Sequence, residues 1–376
     1  MDPWLLTYDG FDPAHEGLRE MFTTLGNGYF ATRGAVPEAR ADDVHHPGTY
    51  VTGCHARPVG RPAEDEDLVN VPNWLPLTFR AEDGDWLVPG GAELLTCTHT
   101  LDMRHGTLSR LLRVRDDAGR ITRMEQRRLV SMADRHLAAL TATIVPENWE
   151  GMLQVRSALD GRVTGSSDLT GSATTDASDV PGGSGVPEGS GGSGDERERL
   201  VPICAHAAHG VIELLTRIAA SGVEVALAAR TTLAGGRAEW VVEEGVGRGV
   251  EEGWVHDDRA VWVRAGEEVT VEKIVALYTS ADLAATESEA SARAAVVRAG
   301  CFATLMRRHA TAWERLWANR HLYAEDPRAQ QVLNLYIFQR AQAVSPRPGR
   351  TTVEIDFAEG YGLTRTRVFA EADRRG

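Results

Sequence analysis

Cysteine is scarce. Cys54, Cys97, Cys204 and Cys301 are scattered through 376 positions, and no two form a Cys-x-x-Cys pair. That spacing argues against a disulfide framework and predicts small core residues in a reducing compartment. His45-His46, with Cys54 nearby, is the nearest approach to a metal-ligand cluster, and it is too loose for zinc. Long apolar runs are absent, so no membrane span is expected. The opening Met1-Asp2-Pro3-Trp4 has neither the basic nor the apolar region of a secretion signal. A cytoplasmic protein is the expectation. Positive charge is also short. Forty Lys and Arg face 54 Asp and Glu, a net charge of −14. This speaks against nucleic acid and anionic membrane surfaces as partners. Gly-x-Ser-x-Gly, His-Glu-x-x-His and Walker patterns do not occur, and no organic cofactor is expected.

What is present is strand pattern. At 42% hydrophobic the chain can bury a core, and its length allows two domains or one large β domain with additions. Leu25–Gly34 holds three glycines, Tyr29, Phe30 and Arg33. Asn27-Gly28 predicts a type I′ turn, and Gly26, Gly28 and Gly34 fit no phosphate-loop spacing. A buried hairpin follows. Glu38–Val44 reads as polar and exposed. Pro72 and Pro76 forbid a central strand over 68–79, where Asn73-Trp74 is expected to plug the core from a loop.

From Leu94 onward strands recur about every ten residues: Leu94–Leu101, Leu108–Val114, Ile121–Met132, Leu137–Val145 and Met152–Leu159. They resume at Ile203–Ala205, Val211–Ala219, Val223–Arg230, Ala238–Val242, Ala260–Ala265 and Val269–Thr279. Asp117–Gly119, Asp257-Asp258 and Ala265–Glu267 read as turns. The spacing predicts a large antiparallel sandwich. Between the two series, Gly165–Gly194 carries nine Gly, seven Ser and no aromatic residue, and reads as a disordered insertion, 165–199 at its widest.

After Ser280 the period becomes helical. Phe302, Leu305, Met306, His309, Ala312, Trp313, Leu316 and Trp317 predict one long amphipathic helix, with His309 as a satisfied packing residue. Asp326-Pro327 predicts an N-cap, and Ala329–Val344 a second helix that is apolar nearly all round and expects partners on several sides.

The residues name no reaction by themselves. Paired carboxylates are the device that suits an acidic, tryptophan-bearing chain, and Asp356, Glu359 and Glu371 are the late candidates. Trp240, Trp254 and Trp262 could stack on a sugar, though packing is the commoner role at strand spacing.

The run Leu25–Gly34 resembles the opening of glycoside hydrolase family 65, the α-glucoside phosphorylases. Collinear runs agree with it: Thr49-Tyr50-Val51-x-Gly53, Leu68–Trp74, Leu101–Arg110, Arg128-x-x-Ser131-Met132, Pro146-Glu147-Asn148, Glu272–Ser280 and Trp313-x-x-x-Trp317. The resemblance implies a galactose-mutarotase-like super-sandwich, a helical linker and an (α/α)6 barrel. It also implies inverting phosphorolysis, or less often hydrolysis, of an α-glucoside disaccharide such as trehalose, maltose, kojibiose or nigerose. A barrel Glu would be the general acid, and inorganic phosphate the co-substrate. A homodimer fits the same pattern.

The late residues depart from the family. Ala358-Glu359-Gly360-Tyr361 and Arg367-Val368-Phe369-Ala370-Glu371 stand where it reads Gly-Glu-(Gly/Ala)-Tyr-Arg-Gly-His-Val-Phe-Trp-Asp. Tyr361, Phe369 and Glu371 are therefore the candidate substrate-binding residues, with Ala370-Glu371 replacing the substrate-contacting Trp-Asp. Fifty-six residues follow Arg320, whereas twelve barrel helices need about 200. The expected organisation is a sandwich over 1–280, a linker helix over 281–320, and the start of a truncated barrel with an irregular tail over 321–376. No catalytic residue is assigned. The leading expectation is a scaffold inactive alone. A free-standing sugar-binding module using Trp74 or Trp254 is the alternative, and a glycosidase using Glu359 and Glu371 the weakest.

Overall fold

The computed structural model describes residues 2–56, 67–163, 200–208, 210–235, 241–282, 287–318 and 322–343. The Gly/Ser stretch and the tail after 343 lie outside them. In chain order the elements are β1 (Leu5–Asp9), α1 (Glu16–Phe22), β2 (Leu25–Gly26), β3 (Phe30–Thr32), β4 (Thr49–Val51), β5 (His55–Ala56), β6 (Asp67–Leu68), β7 (Leu77–Ala81), β8 (Glu93–Asp102), β9 (Thr107–Arg115), β10 (Ile121–Val130), β11 (Leu137–Pro146) and β12 (Gly151–Asp160). They continue with β13 (Leu200–Ala208), β14 (Val211–Ile218), β15 (Glu224–Gly235), β16 (Val241–Glu251), β17 (Trp254–Val263), β18 (Val269–Thr279), α2 (Ser288–Arg298), α3 (Phe302–Ala318) and α4 (Pro327–Gln342).

Nine antiparallel strands form one sheet in the order β1-β8-β9-β10-β11-β18-β15-β14-β13, and β16-β17-β12-β7 form a second. Leu153, Val155, Val255 and Val261 of the smaller sheet meet Leu112, Leu140, Val271 and Leu227 of the larger in one core. The outer face of the large sheet is also covered, where Ala139, Ala228, Ile274 and Ala276 pack against Ala292, Val296, Phe302 and Leu305 of α2 and α3. A strand buried on both faces reads as a continuous apolar run, which is how β18 reads from Ile274 to Leu277. One charged residue is fully buried on its inner face: Lys273, the only lysine in the chain. Its Nζ donates to Pro76 O at 2.9 Å and Ala158 O at 2.7 Å. It therefore pins β18 to the opposite sheet.

Several expectations are corrected. Asp257 and Asp258 do not turn the chain. They lie inside β17, buried, with Asp257 on Arg259 and Asp258 held bidentately by Arg156. Glu38 is not exposed; its side chain is 3% accessible and paired with Arg110. The amphipathic helix expected from Phe302 to Trp317 is α3, and within the stretch 281–320 expected as one linker helix a further helix, α2, precedes it, the two parted at Gly300, whose φ of +79° suits glycine. Of the cysteines, Cys54 and Cys97 are buried as expected, Cys204 is half-buried and Cys301 is exposed. The proline-rich approach does lead to an edge strand, β7. Asp326 does cap α4, accepting from Ala329 N at 2.8 Å. Among the described residues no helix is long and apolar enough to cross a membrane.

Candidate functional site

Asp356, Glu359, Tyr361, Phe369 and Glu371 lie outside the described residues, as does Trp240. Trp74 is 1% exposed and donates through Nε1 to Thr32 Oγ1, so it is the core plug and not a sugar platform. Trp254 is buried too, with Arg40 and Arg162 over its ring. Neither can serve the exposed stacking role. Among the described residues of this set, Trp262 alone is partly open, at 39%.

Several of the family-like runs, among them Leu25–Gly34, Leu101–Arg110, Ser131-Met132 and Trp313–Trp317, gather instead at a joint between the sandwich and the helices. The Leu25–Gly34 hairpin is its hub. Asn27 N donates to Phe30 O, so Gly28 and Tyr29 occupy the central turn positions, one residue later than expected. Asn27 Oδ1 caps the turn by accepting from Tyr29 N and Phe30 N, while its Nδ2 donates to Ser131 O and Arg135 O. Gly28 has φ +83°, which a side chain would strain. The other glycines answer to close packing, since a Cβ on Gly26 would come 2.8 Å from Gln342 O and one on Gly34 1.8 Å from Thr23 Oγ1. Gln342, at the end of α4, returns two bonds: its Oε1 accepts from Gly26 N and its Nε2 donates to Thr24 O. Tyr29 OH donates to Asp282 just after β18, and Arg135 pairs with the same carboxylate. Burial, and then Asp282, push the Tyr29 phenol pKa up, so it stays a donor. His136 sits between the rings of Tyr29 and Tyr278.

The β8–β9 turn is the second half of the joint. Gly106 lies under Trp313 of α3, where a Cβ would come 2.0 Å from the indole Nε1. His309 Nε2 donates to Gly106 O at 3.0 Å, and its Nδ1 accepts from Met132 N at 3.0 Å. Trp313 stacks on Trp317 and on Phe338 of α4, and Trp4 meets Trp317 edge-on. A cleft of about 260 Å3 opens here, lined by Trp4, Arg104, Glu314, Trp317, Gln330 and Asn334. Thus α4 finds partners within the chain. Ile337 and Phe338 are buried, whereas Val332, Leu333, Leu335 and Tyr336 are half-buried.

A second concave feature lies at the sandwich rim. It is a cavity of about 110 Å3, walled by Phe11, Val36, Leu87, Cys97 and Leu112 and by the polar residues Glu38, His45, His99 and Arg110. Four buried atoms on these polar residues have no hydrogen-bond partner: Glu38 Oε2, His45 Nε2, His99 Nε2 and Arg110 Nε. Glu20 takes His45 Nδ1 at 3.1 Å. Burial lowers the His45 pKa, but the Glu20 bond and charge outweigh it, leaving the pKa above its ordinary value. His99 goes the other way. Burial, helped by Arg110 and Arg128, drives it down to about 3, so it is neutral. The cavity offers donors and acceptors of mixed kind beside an aromatic ring. No sequence pattern marked it, because its residues come from four separate stretches.

Residues 6–316 match the family model described as "Glycosyl hydrolase family 65, N-terminal domain". An uncharacterized glycosyl hydrolase of Mycobacterium tuberculosis (strain ATCC 25618 / H37Rv) is 34% identical over 94% of this chain and 25% of its own length. A kojibiose phosphorylase of Caldanaerobacter subterraneus subsp. tengcongensis is 35% identical over 44% of this chain and 20% of its own. A solved human-microbiome structure assigned as a kojibiose phosphorylase superposes with a TM-score of 0.71 at 16% identity, over 91% of this chain and 42% of that one. The chain spans about a quarter of the length of the curated relatives it matches most fully. The matched span places this chain in glycosyl hydrolase family 65, through an N-terminal domain that is mostly β and ends in helices.

Proposed function

We propose that the chain is the scaffolding and carbohydrate-handling N-terminal part of a family 65 α-glucoside phosphorylase or glycosidase, and that it does not turn over sugar alone. The observation that carries this is where the family-like runs fall. Those of the hairpin, the β8–β9 turn and α3 build, together with α4, a mechanical joint, and none of the runs supplies a carboxylate pair facing a substrate-sized cleft. The half-buried flank of α4 suits a further packed layer, which in this reading is the catalytic barrel. The intact enzyme would act on an α-linked glucose disaccharide with phosphate or water, without an organic cofactor. Relatives named kojibiose phosphorylase support kojibiose as the first substrate to try. The test is glucose 1-phosphate or glucose release from kojibiose, maltose, nigerose and trehalose by the purified chain, with and without phosphate. None is expected; robust turnover overturns the reading.

A second reading, a stand-alone sugar-binding module, gains support from the unpartnered polar atoms of the rim cavity rather than from Trp74 or Trp254. Calorimetric titration with glucose and the same disaccharides tests it, and absence of heat at millimolar sugar ends it.

A further inference from the structure

Strand β13 is an edge of the nine-stranded sheet. Its register with β14 shifts by one residue between Pro202 and Cys204, leaving Ile203 as a bulge. A bulge re-aims the side chains that follow it. Beyond this one Ala205 and Ala207 pack on the core. Cys204 and His206, two residues apart, therefore share the opposite face. That face is where α2 lies, packed on β14, β15 and β18.

Glu289, in the first turn of α2, reaches the pair. Cys204 Sγ lies 3.9 Å from Glu289 Oε2, and one ligand atom from each of Cys204, His206 and Glu289 falls within 4.8 Å of the others. The carboxylate is not loose. Arg293, one turn further on, binds both oxygens of Glu213 on β14 and so clamps the helix to the sheet. The same guanidinium stands 3.5 Å from Glu289 Oε1, which leaves Oε2 turned to the thiol.

We propose that Cys204, His206 and Glu289 form a binding site for a divalent transition-metal cation of the zinc class. A thiolate, an imidazole and one carboxylate oxygen are a mixed soft and borderline donor set, which favours zinc or cobalt over magnesium or calcium. Three protein ligands with a water in the fourth place make a tetrahedral site. Ligand atoms at 2.0–2.3 Å from such a metal stand roughly 3.3–3.8 Å apart, so the set closes by about 1 Å on binding. The exposed His206 ring can supply that movement. Thiolate and carboxylate together balance the two positive charges, while Arg293 is matched by Glu213. The thiol proton passes to solvent, and nothing is oxidised or reduced.

The experiment uses the full chain, reduced and stripped of metal, titrated with Co2+ alone. One equivalent is expected to bind, with a thiolate-to-cobalt charge-transfer band in the near ultraviolet and the strong visible bands of tetrahedral cobalt, both bleached by Zn2+. Cys204→Ser abolishes the charge-transfer band. His206→Ala and Glu289→Gln, at positions outside the core, weaken cobalt binding by about a hundredfold. Cys301→Ser, which removes the exposed thiol ahead of α3, leaves the spectrum intact. Absence of the band in the reduced protein overturns the proposal, as does a band that survives Cys204→Ser or depends on Cys301.

Discussion

His309 shows how one side chain is fixed by what it must satisfy. With Nδ1 accepting an amide proton and Nε2 donating to a carbonyl, the ring is neutral. Burial takes its pKa down to about 4, only partly offset by the Gly106 bond. A histidine lowered from an ordinary 6.5 contributes stability that is complete above 6.5 and is lost as pH falls toward 4, because the unfolded chain takes up the proton first. The loss amounts to on the order of 3 kcal/mol at full protonation. His99 acts in the same direction. Urea denaturation at pH 7 and pH 5 should show the drop. His309→Phe should cost about 2–4 kcal/mol at pH 7, since Met132 N and Gly106 O lose their partner, and should flatten the dependence on pH. A mutant as acid-sensitive as the parent contradicts this. The helical stripe put His309 on a buried face, and that much was legible. Its partners stand 177 and 203 residues earlier in the chain, where no local pattern reaches. Asp257 and Asp258 were misread as a turn for the same reason: the arginines that let them sit inside a strand are a matter of register.

At the scale of elements, strand spacing located β8 to β12, β14 and β18 closely, because a half-buried antiparallel strand writes its period into the sequence. The two-residue β5 and β6 and the seven-residue α1 are too short for a period. α2 was missed because alanine and serine dominate it and its core contacts are small. The joint was legible only as a set of recurring runs, since what α3 needs beneath it is the absence of a side chain at Gly106. Gly106 has φ +64°, and a methyl there collides with Trp313. Gly106→Ala should therefore lift α3 from the sheet. Trp313→Ala, which empties the same contact, should cost about 3–5 kcal/mol. Limited proteolysis, with cleavage mapped by mass spectrometry, should then show new cuts within α3 and α4 while β8 to β18 stay protected. Unchanged cleavage in both variants would show that the joint does not depend on this packing. The cobalt site belongs here too, because its ligands lie on an edge strand and a helix that the sequence separates by more than eighty residues.

Among the described residues two large sheets are layered with helices outside, and Lys273 joins the layers. Burial holds its amine well below the ordinary 10.5. A lysine lowered in this way makes the fold more stable as pH rises toward 10.5, where the unfolded chain also gives up its proton. Thermal melts across that range should show the rise, and Lys273→Met should remove it. A parental slope retained in the mutant counts against the assignment. The sandwich class was readable from composition and spacing. Which strand faces which across the core was not, because the contact from β18 to β7 and β12 is decided by the closing of the layers.

The same pin has a chemical consequence. An acidic protein of this size ordinarily offers many primary amines to acylating reagents and aldehyde fixatives. Here the one lysine of the sequence is sealed between sheets, out of reach of such reagents in the native fold. Acylation of Lys273 becomes a record of each opening of the sandwich.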